Sequence, residues 1–133
     1  MKRFHQLFGV SVVIVFLLTG QYMDHYYNHL SGMPDGMRML YRTRHIYILL
    51  SGLLNLGIGS YLAQRSAPWR RALQALGSSL IVVASGLFIM AFFYEPRLTG
   101  LHTPLSHWGM YTIGAGTLFH FFSGLGQDEP RMS

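Results

Sequence analysis

Four long apolar stretches separated by short polar ones set the pattern of this chain, at residues of about 7–23, 46–63, 72–94 and 105–125. Each is close to the roughly 20 residues a helix needs to cross about 30 Å of hydrocarbon. The pattern predicts an all-α, integral membrane four-helix bundle, one transmembrane domain occupying residues 1–133. Ser66 then Pro68, and Thr103 then Pro104, are helix-start signals, because proline is favoured in a first helical turn. The short connection Gln64 to Ala67 makes the second and third helices antiparallel neighbours. Pro34 and Gly36 precede an unbroken run to Tyr47, so the second helix is expected to begin well before its apolar part. The first stretch has the look of a signal peptide. It ends, however, in Gln21, Tyr22, Met23, Asp24 and His25 rather than in the small residues of a cleavage site, and reads as a retained anchor. The polar tail 127–133 reads as frayed.

Composition moves the picture toward lipid. Charged residues make up 11% of the chain, against about a quarter in soluble proteins. The net charge is +5, but the basic residues are split among separate polar segments, which argues against nucleic acid as a partner. Cysteine is absent, which excludes disulfides, thiolate metal sites and covalent haem attachment through cysteine. Lys2, Arg3, Arg65, Arg70, Arg71 and Arg131 fall on the side of the termini, and Arg38, Arg42, Arg44 and Arg97 on the other. This bias predicts both ends inside, in a bacterial inner (plasma) membrane. It also leaves four outward arginines to be explained.

Small residues recur within the spans, among them Gly52, Gly57, Gly59, Gly77, Gly109, Gly114 and Gly116, as close helix approach in lipid requires. Asn55 shares a helix face with Ser51 and Gly59 and is expected to hold helices together by hydrogen bonding.

The residues with chemistry gather at the outer end. On a helical extension of the second span, Arg38, Tyr41, Arg42 and His45 share a face, and Gly52 and Gly59 continue inward from His45 as a smooth groove. A flat cofactor suits such a groove. The sharpest specific expectation is therefore haem b in electron transfer. His45 and His107 would be its axial ligands, Arg38, Arg42 or Arg97 would pair the propionates, and Tyr41 would stand at the same rim. Quinone binding would use His45 or His107 with Tyr41 or Tyr111. Against this, histidine and arginine at helix ends commonly snorkel, bind lipid phosphates or cap carbonyls, and the terminal placement of His45 and His107 favours that plainer account. A transition-metal alternative uses His25 and His29, spaced i, i+4, with His102 and with Asp24 or Glu95. His120, inside the fourth span, reads as a histidine bonding a neighbouring helix. As a haem ligand it would have only His5 as a partner.

No P-loop, nucleophile elbow or HExxH motif is present, and no span carries a central Asp, Glu, Lys or Arg, which disfavours proton-coupled transport. In architecture alone the chain is similar to small four-helix cytochrome b-like membrane subunits. The competing class is a non-catalytic accessory or assembly subunit of a membrane complex, whose Arg/His cluster contacts lipid or a partner protein.

Overall fold

The computed structural model describes residues 1–63, 65–98 and 102–125. The polar tail, and Arg131 within it, lies outside the described residues. Among the described residues four α-helices account for the fold: α1 (Lys2–Tyr27), α2 (Asp35–Tyr61), α3 (Pro68–Tyr94) and α4 (Pro104–Gly124). No strand occurs among the described residues. Pro68 and Pro104 open α3 and α4 as expected. α2 does begin upstream of its apolar part, immediately after Pro34.

Only two of the four helical segments, Lys2–Leu30 and Pro68–Arg97, are long and apolar enough to cross a membrane by length and composition. The other two fall short because polar and small residues interrupt their apolar runs. α2 carries Asp35, Arg38, Arg42 and Arg44 in its first turns and Ser51 and Asn55 further along. α4 has 21 residues and includes His107, His120 and several glycines and hydroxyls.

The helices pack as two tight antiparallel hairpins, α1 with α2 and α3 with α4, and glycine makes both possible. A Cβ placed on Gly9 would lie 2.8 Å from the backbone nitrogen of Leu56, and one on Gly59 would lie 2.7 Å from that of Gln6. In the second hairpin, a Cβ on Gly77 would meet the Gly116 carbonyl at 2.7 Å, and one on Gly109 would meet the Phe88 ring at 2.5 Å. The Gly52–Gly59 groove therefore exists, but α1 fills it. Val12 and Val13 cover Gly52, and the His5–Gln6 backbone covers Gly59.

Between the hairpins the core is mostly α2 against α3, with Ile48, Ile81, Phe88 and Phe92 fully buried. Tyr47 leans on Phe88, and Tyr41 and Tyr22 meet Phe92 edge-on. α1 is closed by a left-handed turn in which Asn28, His29 and Leu30 have φ of 44°, 56° and 63°. Non-glycine residues pay roughly 1–2 kcal/mol each for this conformation. Leu30, 2% exposed, anchors the turn in the core.

The glycine contacts predict a sharp contrast. Gly9→Val, Gly59→Val or Gly116→Val should each destabilise the bundle by about 1–3 kcal/mol through overpacking. Gly86→Ala and Gly114→Ala, whose new Cβ meets nothing within 4 Å, should be neutral or stabilising by up to about 1 kcal/mol through helix propensity. Thermal or denaturant melts in detergent would measure both; equal losses in the two groups would contradict the packing described.

Candidate functional site

At the end of the bundle away from the termini, one buried polar cluster ties three elements together. Arg44 of α2 is 4% exposed, and Glu95, just beyond α3, is fully buried. The Arg44 Nε–H donates to Glu95 Oε2 at 2.7 Å. At the start of α4, the Ser106 backbone N–H donates to Glu95 Oε1 at 2.8 Å and its hydroxyl to Oε2 at 2.6 Å. The carboxylate thus accepts three bonds, one from a guanidinium and two from the first turn of a helix whose dipole also favours negative charge there. Such satisfaction is what allows an ion pair to be buried at all. Pro96 continues the chain away from α3 and is itself buried.

Beside this tie stands an aromatic cluster. The Tyr41 hydroxyl donates to that of Tyr27 at 3.4 Å, and the Tyr22 and Tyr27 hydroxyls are also 3.4 Å apart. The Arg97 guanidinium lies within reach of Tyr22 and Tyr41. His45 stacks on Phe16 with ring centroids 4.0 Å apart, and its Nδ1 is 2.9 Å from the Thr19 hydroxyl. It is therefore held against α1. His107 is exposed on α4, with Nδ1 3.3 Å from the Thr103 hydroxyl. It borders a groove of about 500 Å³ between α2 and α4, which Arg44 and Ser106 of the tie line together with Met39, Thr43, Tyr47 and Met110. His45 does not line that groove.

The expected site residues are thus dispersed around the end of the bundle. Tyr41 is buried in the core and Arg42 is exposed, though both lie on α2. Arg38 pairs with Asp35 one turn earlier. His25 is exposed on the last turn of α1, whereas His29 lies beyond the helix in the left-handed turn, so the two do not share a helix face. His29 Nε2 is 2.7 Å from Asp24 Oδ1 at the surface. His102 is exposed. Glu95 is engaged by Arg44 and Ser106. No group of three or more His, Cys, Asp or Glu side chains able to hold a metal comes together among the described residues.

A second polar cluster occupies the opposite end. Asn55 donates through Nδ2 to the Ser51 carbonyl at 2.8 Å and to the Ser85 hydroxyl at 3.3 Å. Its Oδ1 is therefore the atom that faces His5 Nδ1 at 2.8 Å, so His5 carries its proton on Nδ1. His5 Nε2 is buried without a partner among the described residues. His120 bonds the Ser78 hydroxyl through Nε2 at 3.1 Å, and its ring centroid is 6.5 Å from that of His5, at 81°. Asn55 and His120 thus make the interhelical bonds expected of them.

Sequence reasoning missed the Arg44–Glu95–Ser106 tie. Its signal was Glu95 following an apolar run of the length of a span, because an acid at that position requires a cation or several donors.

The fold and its polar clusters define the chain as an all-α protein of two glycine-packed helical hairpins locked by buried polar bonds. Compared with known proteins, no family model matches the chain, and neither does any curated protein or solved structure.

The tie predicts an asymmetry between single and double substitution. Glu95→Gln, which leaves the Arg44 charge buried without its counter-ion, should destabilise by about 3–5 kcal/mol. Arg44→Met combined with Glu95→Gln, which removes the buried charge and keeps an acceptor for Ser106, should recover most of that loss. Melting of the two purified variants tests it; a double variant as weak as the single one would show that the pair is worth more than its replacement by neutral side chains.

Proposed function

We propose that this chain is an integral membrane four-helix bundle acting as a non-catalytic accessory or assembly subunit, with its termini on the cytoplasmic side. The observation that carries the reading is an inverted distribution of polarity. Arg44, Glu95, Asn55, His5 and Ser85 are buried, whereas Leu7, Ile14, Leu17, Leu18, Leu53, Val83, Leu118 and Phe121 are all about half exposed or more. In the α1 segment only 17% of the apolar window is buried, which is unlike the core helix of a soluble protein. In water such faces would invite association. In a bilayer they are the lipid-facing surface, and small residues with interhelical polar bonds hold the helices together.

This reading accounts for the outward arginines. Arg44 is neutralised by Glu95 and Arg38 by Asp35. Arg42 and Arg97 are then the cations of that end without a carboxylate partner among the described residues, and the charge bias toward the termini remains that of the Lys and Arg count. Engagement of the ionisable groups supports an accessory rather than a catalytic role. Arg44, Glu95, His45 and Arg38 each serve a structural bond.

Expressed in a bacterial host, the protein should stay in the membrane pellet after carbonate washing, and a reporter fused after Ser133 should report a cytoplasmic end. Release by carbonate would overturn the membrane reading. Purified in detergent, it should show no Soret band with or without dithionite. A band lost in His45→Ala or His107→Ala would replace the accessory reading with haem b and electron transfer.

A further inference from the structure

A groove of about 370 Å³ lies between α2 and α4 at the end where the chain termini lie. Its apolar part is lined by Leu53, Leu54, Gly57 and Ile58 of α2, and Arg65 stands at its mouth. The other polar groups there are committed elsewhere. Gln74 accepts from the Arg65 backbone N–H and donates to the Ala63 carbonyl. His120 bonds Ser78, and the Ser123 hydroxyl bonds the His120 carbonyl. Tyr61 and Arg65 are the exceptions, and of the two the charged one is Arg65. It makes no ion pair among the described residues, and its Nε is buried without a hydrogen-bond partner there. One of its terminal nitrogens lies by Gly124, where the end of α4 favours a cation.

Gly57 gives the groove its depth. Gly52 and Gly59 on the same helix are covered by α1, but a Cβ on Gly57 would meet nothing within 4 Å. A glycine inside a helix costs about 1 kcal/mol relative to alanine, and close approach of another helix does not account for this one.

Resting on the membrane reading above, we infer that this groove holds one anionic phospholipid. An acyl chain lies along Leu53, Leu54, Gly57 and Ile58, and the headgroup phosphate lies on the Arg65 guanidinium. Charge complementarity selects this occupant. The groove is apolar toward the middle of the helices and cationic at its mouth, and Lys2, Arg3, Arg70 and Arg71 surround the same end of the bundle in sequence. An anionic headgroup gains both the general attraction of that end and charge-assisted hydrogen bonds from Arg65. A zwitterionic lipid would gain much less from the general attraction.

The test is native mass spectrometry of the full-length protein, delipidated in detergent and titrated separately with phosphatidylglycerol and phosphatidylcholine. One phosphatidylglycerol should bind roughly tenfold more tightly than phosphatidylcholine. Gly57→Leu, which fills the groove from a position where an added Cβ meets nothing within 4 Å, and Arg65→Gln should each remove most of that preference. Gly114→Leu, an equal addition on an open face of α4, should leave it intact, and all three should keep the parent's melting temperature to within a few degrees. Equal retention of the two lipids would overturn the site, as would preference that survives both groove variants. A dimer that Gly57→Leu dissociates would also overturn it and assign the groove to a second copy. Carbonate release of the parent would instead signal failure of the membrane reading.

Discussion

The bond between Arg44 and Glu95 is the constraint around which this bundle is arranged. Two helical hairpins, each internally tight, must be joined into one body, and their mutual interface is less intimate than either hairpin's own. At one end the join is the Glu95 carboxylate, which receives Arg44 from the first hairpin and Ser106 from the second. At the other it is Asn55, which bonds Ser85 across the same interface while holding His5 of α1. Between them lie Ile48, Ile81, Phe88 and Phe92. Because an unpaired charge or amide in an apolar interior costs several kcal/mol, these bonds discriminate strongly against other registers of α2 on α3.

Glycine and polar bonding divide the work. Within each hairpin, Gly9, Gly59, Gly77 and Gly116 bring backbones so close that a methyl group would collide with main-chain atoms. Dispersion then acts over many short contacts. Between hairpins, aromatic rings keep the helices further apart, and directional bonds set the alignment. The same division explains why so many histidines and arginines serve the fold. His5, His45, His120, Arg38 and Arg44 all reach partners on the same or a neighbouring helix. His and Arg residues that lie close together along the chain make, in space, a set of separate ties.

The two ends consequently differ in character. The end bearing Glu95 pairs Arg44 with Glu95 in its interior and Arg38 with Asp35 at its surface, and keeps Arg42 and Arg97 without a carboxylate partner among the described residues. The end bearing the termini keeps a cation, Arg65, above an apolar groove. That asymmetry arises from burial of opposite charges at one end only, and composition counts both ends alike.

The sequence by itself determined the number of helices, their starts at Pro68 and Pro104 and the early beginning of α2, because apolar run length and proline act locally. It also determined that Asn55 and His120 would bond across helices, since a polar side chain within an apolar run has few other outlets. Only the tertiary structure decided where the histidines face. A rotation of about 100° per residue separates neighbours on a helix, so Arg44 and His45, adjacent in sequence, serve α3 and α1 respectively. Shared helix faces could place Arg38, Tyr41, Arg42 and His45 near one another, but not reveal that α1 would fill the glycine groove beneath His45. Nor could they show that Glu95 would take Arg44 as its partner. Those outcomes depend on which backbones approach most closely, a property of the packed bundle rather than of any one of its helices.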